Sequence, residues 1–446
     1  MTRRQKLFAC VAGIILAASF PVGAPARTFP PQAVTESTLP NGLRLVVREL
    51  PGCPLAAASL WVHAGSRNEG PASNGVAHLL EHYLFEDNTP DASATYDREI
   101  EAIGGTLNAE TSRDHTHFYV IVPQAGIETS IRILGQMVEH PKLEDALIEV
   151  ERRRATDEVE QRTSDPILSA QQELFAVAYH ASPYRLPIAG TPQSVSRLTP
   201  SVIRAFYHTY YRPDNATLVV VGDVTPTRVA AMAARVFGAW PRPTEALPDV
   251  AQEPERITDA APAVIPLKET APLSLVMIGF PAPSVRLARD SVVMDLIYSL
   301  LASGPNGILS REMSRTGLLN DISSDFLTSR DPGLFLIWGY APVNRIVEAR
   351  QRTLEIVRSL GAGAFGDEDV SRAKSNLLGS YNLENETVND QATGLGFYDS
   401  IATYEYAVEY DMVVQSLTRN DIQRVAHDYF QGSYTIIMAP PGAPTG

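Results

Sequence analysis

Residues 199–211, TPSVIRAFYHTYY, align without a gap on residues 418–430, TRNDIQRVAHDYF, placing Ile203 on Ile422, His208 on His427 and Tyr210 on Tyr429. Each segment runs into a β-favouring stretch, 216–221 in the first case and 434–438 in the second. A helix followed by a strand thus closes two halves of the chain, the mark of an internal duplication. Amphipathic helices share a limited alphabet, so chance likeness is the alternative. Length agrees with duplication, since 446 residues exceed the roughly 250–300 at which a single core stops growing.

Between the halves, residues 237–266 are rich in proline and poor in periodic apolar positions, as in Trp240-Pro241-Arg242-Pro243. This stretch reads as a linker between an N-terminal domain, 27–236, and a C-terminal domain, 267–446. In the first half, 43–47 and 58–62 read as strands, the segment around 77–85 as a helix, 107–122 as strand, and 127–139 and 144–162 as helices. Strands and helices mix without regular alternation, which predicts an α+β fold of two homologous domains, each a mostly antiparallel sheet covered by helices. With 44% hydrophobic and 20% charged residues, the composition is that of a folded globular protein.

Arg3, Arg4 and Lys6 precede an apolar run at 7–20 and the small-residue site Ala24-Pro25-Ala26. Residues 1–26 therefore read as a secretory signal peptide, and the run falls short of the roughly 20 residues that an anchor needs. A soluble periplasmic protein without a stable membrane anchor is expected. Cleavage removes Cys10 and three of the 37 basic residues against 51 acidic ones, leaving Cys53 as the sole thiol and a formal charge of −17. No internal disulfide is then possible, and the acidic balance argues against nucleic acid as a partner.

The chemistry concentrates in His78-Leu79-Leu80-Glu81-His82. On a helix, His78 and His82 share one face, where two imidazoles can grip one ion, and Glu81 lies beside them. H-x-x-E-H is the inverted zinc-peptidase motif, whose glutamate takes a proton from zinc-activated water. A catalytic zinc needs a third protein ligand. The helix at 144–162 offers Glu151 and Glu158, seven residues apart and roughly on one face, in a stretch charged densely enough to be a solvated surface. The remaining histidines, His63, His115, His117, His140, His180, His208 and His427, read as packed or solvated.

Taken in order, Gly65-Ser66-Arg67-Asn68-Glu69, Gly75-Val76-Ala77 with the motif, Leu107-Asn108-Ala109-Glu110-Thr111-Ser112, Glu151 and Glu158 resemble the M16 peptidases. That is the pitrilysin and insulinase family, which includes mitochondrial processing peptidase. The resemblance implies a half-clamshell fold and one Zn2+ per chain held by His78, His82 and Glu158, the glutamate 76 positions after the second histidine. It implies Glu81 as the catalytic base and Glu151 as a supporting carboxylate. It also implies that substrate adds as a strand beside Asn108 and Ala109, a mode that bonds backbone rather than one sequence. A turn-capping role is the alternative for Asn108.

One part of the family pattern is missing. Members that act alone carry an arginine seven residues before a tyrosine near a Gly-Leu step; here Met313 and Asn320 stand at those positions around Gly317-Leu318, with Arg311 and Arg315 nearby. The chain thus resembles the zinc-bearing subunit of bacterial two-subunit members and the beta subunit of mitochondrial processing peptidase. The expectation is a zinc endopeptidase for peptides or small unfolded polypeptides, paired with a homologous zinc-free subunit that supplies the Arg/Tyr pair, or with a second copy of itself. A non-catalytic scaffold subunit and a carrier with structural zinc are the alternatives.

Overall fold

The structure, a computed structural model, describes residues 34–85, 95–139, 141–162, 165–248, 250, 260–267, 272–302 and 304–445. The expected signal peptide and His140 lie outside these residues. The first half contains strands β1 (Val34–Thr38), β2 (Arg44–Glu49), β3 (Leu55–Val62), β4 (Thr106–Thr111), β5 (Thr116–Pro123) and β6 (Ala216–Gly222). Its helices are α1 (Val76–Phe85), α2 (Thr95–Ala102), α3 (Ile127–Glu139), α4 (Asp145–Arg162), α5 (Pro166–Ala178), α6 (Pro192–Ser196), α7 (Pro200–Tyr210) and α8 (Pro226–Phe237). The second half contains β7 (Ala263–Pro266), β8 (Leu273–Ala282), β9 (Asn320–Phe326), β10 (Gly333–Pro342) and β11 (Tyr434–Ala439). Its helices are α9 (Ala288–Ala302), α10 (Ile308–Thr316), α11 (Ile346–Ser359), α12 (Asp367–Leu383), α13 (Val388–Ile401), α14 (Glu405–Ser416) and α15 (Arg419–Tyr429).

The strand order is β1-β2-β6-β3-β5-β4 in one sheet and β7-β11-β8-β10-β9 in the other. Apart from β1, the second repeats the first. The closing strand of each half, β6 or β11, runs antiparallel to β3 or β8 and parallel to β2 or β7. All other pairs are antiparallel. The chain is thus α+β with two mostly antiparallel, matching sheets, and the two aligned sequence segments are α7 and α15, each feeding its closing strand.

The central strands are apolar at successive positions because both faces are covered. In β3, Ala56, Ala58, Leu60 and Val62 enter the core under α1 and α3, while Ala57 and Trp61 face the opposite way. That second face is covered by α13, from the other half, through Val388, Ala392 and Leu395. Reciprocally, α5 of the first half lays Ala170, Leu174, Phe175 and Ala178 on Leu275, Met277, Leu334 and Ile436 of the second sheet. Close approach depends on one glycine in each contact. A Cβ on Gly279 of β8 would sit 2.8 Å from Leu174, and one on Gly396 of α13 would sit 2.0 Å from Trp61 Nε1.

The described parts of the expected linker are more ordered than its prolines suggest. Trp240 is buried in the first core, and Arg212 donates to the carbonyls of Pro243 and Glu245 at 3.0 and 2.7 Å. Its far end, Ala263–Pro266, is β7 itself, paired in parallel with β11. The exposed alternate residues of this four-residue strand leave little apolar period to read. No helix among the described residues is long and apolar enough to cross a membrane.

In an ordinary helix interior, Gly→Ala stabilises by roughly 0.5–1 kcal/mol. At Gly396 the added methyl meets the Trp61 ring, and Gly396→Ala should instead cost about 1–3 kcal/mol through overpacking. A urea midpoint that stays level or rises would show that the contact tolerates a side chain.

Candidate metal centre

Helix α1 owes its position to a carboxylate at its entrance. Gly75, with φ of 95°, turns the chain into the helix where a Cβ would strike Val195. Glu69 then accepts from the backbone N–H groups of Gly75 and Ala77 at 2.8 Å each, and from Asn74 Nδ2 at 2.9 Å. It thus fills the orphan donors at the positive end of the helix dipole. Burial pushes the Glu69 carboxyl up to about 8 against the pull of these donors. At the other end, Tyr83 Oη accepts from Glu144 N at 3.0 Å and ties α1 to the segment leading into α4.

These restraints bring together side chains from two distant helices. His82 Nε2 lies 3.1 Å from Glu158 Oε2, and His78 Nε2 lies 3.7 Å from Glu158 Oε1. Among the described residues, His78, His82 and Glu158 form the one group of three such side chains whose ligand atoms converge, all within 4.8 Å of one another. Tetrahedral zinc with bonds of about 2.0–2.2 Å places its donors roughly 3.3–3.6 Å apart, so the set fits the ion. No fourth His, Cys, Asp or Glu among the described residues joins the group. His78 is buried and its Nδ1 has no hydrogen-bond partner among the described residues. His82 and Glu158 are partly open to solvent.

The electrostatics suit a cation. Hydrogen bonds from His78 and His82, with the Arg162 charge added, hold the Glu158 carboxyl well below the usual carboxylate range despite burial. Burial alone would lower His82, yet its bond to Glu158 and the charges of Glu81, Glu158 and Glu151 raise it above the ordinary histidine value. Arg162, one turn on from Glu158, contacts Oε1 at 2.9 Å. Glu151 is buried, with Oε1 accepting from Arg154 at 2.9 Å. Its burial with Ala155 and Val159 shows that α4, despite its charge, is no uniformly solvated face.

Glu81 is half-buried, and its Oε2 accepts from the Thr111 hydroxyl at 2.6 Å. Thr111 ends β4, the sheet edge, which pairs only with β5 among the described residues. Asn108 and Ala109 lie mid-strand rather than in a turn, and Asn108 Oδ1 accepts from Ala109 N at 2.9 Å. Met313 is buried in the second core, and Asn320 begins β9. Arg311 and Arg315 point to Asp369 and Glu312. Of the other histidines, His115 and His117 pack on Trp61 with centroids 4.7 and 3.9 Å away, and His63 bonds Thr217. His180, His208 and His427 are exposed.

Glu69, Thr111 and Arg162 play parts that the sequence reading did not assign. The i,i+4 spacing of Glu158 and Arg162 was a usable signal; the partners of Glu69 and Thr111 are set by tertiary structure.

A two-histidine, one-glutamate centre with a second carboxylate beside it is the donor set of a metallopeptidase site. The comparisons agree. The family model described as Insulinase (Peptidase family M16) matches residues 44–192, and that of the Peptidase M16 inactive domain matches 197–377. The chain belongs to the M16 peptidase family. It is 26% identical over 416 residues to an uncharacterised zinc protease of Mycobacterium leprae, covering 92% of each chain. It is 26% identical over 419 residues to a probable mitochondrial-processing peptidase beta subunit of Arabidopsis thaliana, covering 90% of this chain and 77% of the relative. A crystal structure of a protease from Helicobacter pylori superposes with a TM-score of 0.85 at 26% identity, over 91% of this chain and 99% of the other.

Glu69→Gln keeps one acceptor oxygen but sets an amide NH2 in place of the other, facing either Ala77 N or Gly75 N with Asn74 Nδ2. It should cost about 1–3 kcal/mol, the penalty for an unsatisfied buried group. Denaturant unfolding checks this, and a change below about 0.5 kcal/mol, the scale of neutral surface substitutions, would remove Glu69 from its capping role.

Proposed function

We propose that this chain is a zinc-dependent endopeptidase acting on peptides or small unfolded polypeptides, exported by the N-terminal signal and working as the catalytic subunit of a heterodimer. The observation that carries this reading is the convergence of His78, His82 and Glu158 beside Glu81, which is itself bonded to the sheet edge. The names of the relatives support zinc and proteolysis.

His78, His82 and Glu158 hold one zinc ion, and Glu151 supports that shell. The ion they would hold would supply Lewis-acid chemistry, lowering the pKa of a water towards about 7. Glu81 takes the proton from the attacking water and returns it to the leaving nitrogen, its carboxylate held by the Thr111 hydroxyl. β4 receives the substrate as an added strand, with Asn108 and Ala109 at the contact, and the Asn108–Ala109 bond opens in exchange for substrate bonds. The absence of an Arg/Tyr pair at Met313 and Asn320 supports a homologous zinc-free partner supplying donors for the charge that develops during amide hydrolysis.

Glu81→Gln should retain zinc and lose about 100- to 10,000-fold in peptide cleavage, the usual worth of a general base. Metal analysis alongside a quenched-peptide assay decides, and retained cleavage would remove Glu81 from its role. Unsubstituted chain should cleave in a chelator-sensitive way, with a large gain on adding the zinc-free homologue; a full rate from the chain alone would overturn the heterodimer.

Zinc binding requires neutral imidazole, so a raised His82 means that protons compete with zinc already above the ordinary histidine value of 6.5. Zinc affinity should therefore fall as pH drops through neutrality. A competition titration against a chelator indicator at several pH values reads this, and a flat profile between pH about 8 and 6 would contradict it.

A further inference from the structure

The two oxygens of the Glu158 carboxylate are not equivalent. Oε2 lies 3.1 Å from His82 Nε2, whereas Oε1 lies 3.7 Å from His78 Nε2 and is paired with Arg162 Nη2 at 2.9 Å. Arg162 closes α4 one turn after Glu158, at the end of the helix dipole where a cation is favoured. Stability does not explain the pair. The side chains of Glu158 and Arg162 are 33% and 38% exposed, and ion pairs this open contribute little to folding. Metal affinity does not explain it either, because a positive charge beside a donor works against the uptake of a dication. The other carboxylate of α4 near the site repeats the device: Glu151 Oε1 accepts from Arg154, three residues on, at 2.9 Å.

A carboxylate meets a metal ion through one oxygen or through both. Sharing both fills a further position around the ion, where a catalytic centre needs room for water and for the scissile carbonyl. What the second oxygen is offered decides between the two, and a guanidinium 2.9 Å from Oε1 is a strong competitor. Turning Oε1 onto an ion beside the imidazoles would give up that charge-assisted contact.

We propose that Arg162 is a positioning residue of the metal centre: it holds Glu158 Oε1, so that Oε2 alone is presented to the ion together with His78 and His82. This rests on the reading of His78, His82 and Glu158 as zinc ligands. Arg162 acts through Glu158 and not on the ion. Its removal frees Oε1, and the centre gains a donor at the expense of room for water. Two rival accounts of the same contact differ in outcome. A bystander surface pair changes nothing at the centre when removed. A charge that merely repels the ion changes affinity and leaves the number of donors as it was.

The test loads the full-length chain with Co2+ in place of zinc, because the visible bands of cobalt are intense with four donors around it and weaker with five. Unsubstituted chain should give the four-donor spectrum. Arg162→Met keeps the bulk of the side chain and removes the cation. It should give weaker bands, bind zinc no less tightly in competition with a chelator indicator, and lose about tenfold in kcat for peptide cleavage with KM little changed. Arg162→Lys, which keeps a cationic donor, should restore much of the band intensity. Arg162 sits at the partly exposed end of α4, so neither substitution threatens the fold. Bands of unchanged intensity in Arg162→Met overturn the proposal whatever happens to zinc affinity. So does an Arg162→Lys spectrum that matches that of Arg162→Met, or a five-donor spectrum from the unsubstituted chain. In each of these cases the three-ligand centre stands; failure of the unsubstituted chain to bind cobalt overturns the centre and this proposal together.

Discussion

Two apolar faces on each sheet set the terms for everything else in this chain. The first sheet can cover one face with its own α1 and α3, but Trp61, Val219 and Val221 on the other face become dry only under α13. The second sheet depends in the same way on α5, which lies over Leu275, Met277 and Leu336. Each half lends a helix to the other, so neither core is complete alone. The joint is also pinned by charge. Arg67 meets Asp331 at 2.6 Å, and Tyr184 bonds Asp114, which in turn accepts from Arg330 N. A buried pair like this contributes little net stability, whereas losing one partner strands a charge at a cost of about 3–5 kcal/mol. It therefore penalises relative displacement of the halves more than it holds them together.

The metal centre inherits that rigidity. Its candidate ligands come from α1 and α4, and Glu158 lies 76 positions after His82. Their meeting depends on α1 being fixed at its start by Glu69, at its end through Tyr83, and on its flank through Glu81 and Thr111. Three polar contacts on ten residues leave the helix little freedom to rotate, and an imidazole pair aimed by such a helix needs little reorganisation on taking up an ion.

The parts legible in the sequence were those written in local period or spacing. The repeated helix and strand, His78 and His82 one turn apart, and the strands around 43–47 and 58–62 all follow from short contiguous segments, the longest of them the thirteen residues aligned at 199–211 and 418–430. The residues alone left Glu151 and Glu158 equivalent, because their spacing puts both roughly on one face of α4; only the three-dimensional approach of Glu158 to the imidazoles separates them. The exchange of α5 and α13 was not legible, since an apolar face announces that it must be covered and not which segment covers it. The same holds for β7, whose partner β11 lies some 170 residues later, and for His115 and His117, whose two-residue spacing became meaningful only with Trp61 beneath them. Glu69 closes the segment Gly65-Ser66-Arg67-Asn68-Glu69, yet its role depends on Gly75 turning the chain back over it.

The two faces of β4 are different places. One face holds Thr111 and, through it, Glu81; the other holds Asn108 and Glu110 beside an acidic cleft between the halves. Apart from Glu110, the carboxylates lining that cleft, Asp295, Asp325, Glu384 and Asp390, come from the second half. Duplication thus does more than double the core: the first half carries the converging His78, His82 and Glu158, and the second, held against it by the exchanged helices, supplies most of the carboxylates of the neighbouring cleft.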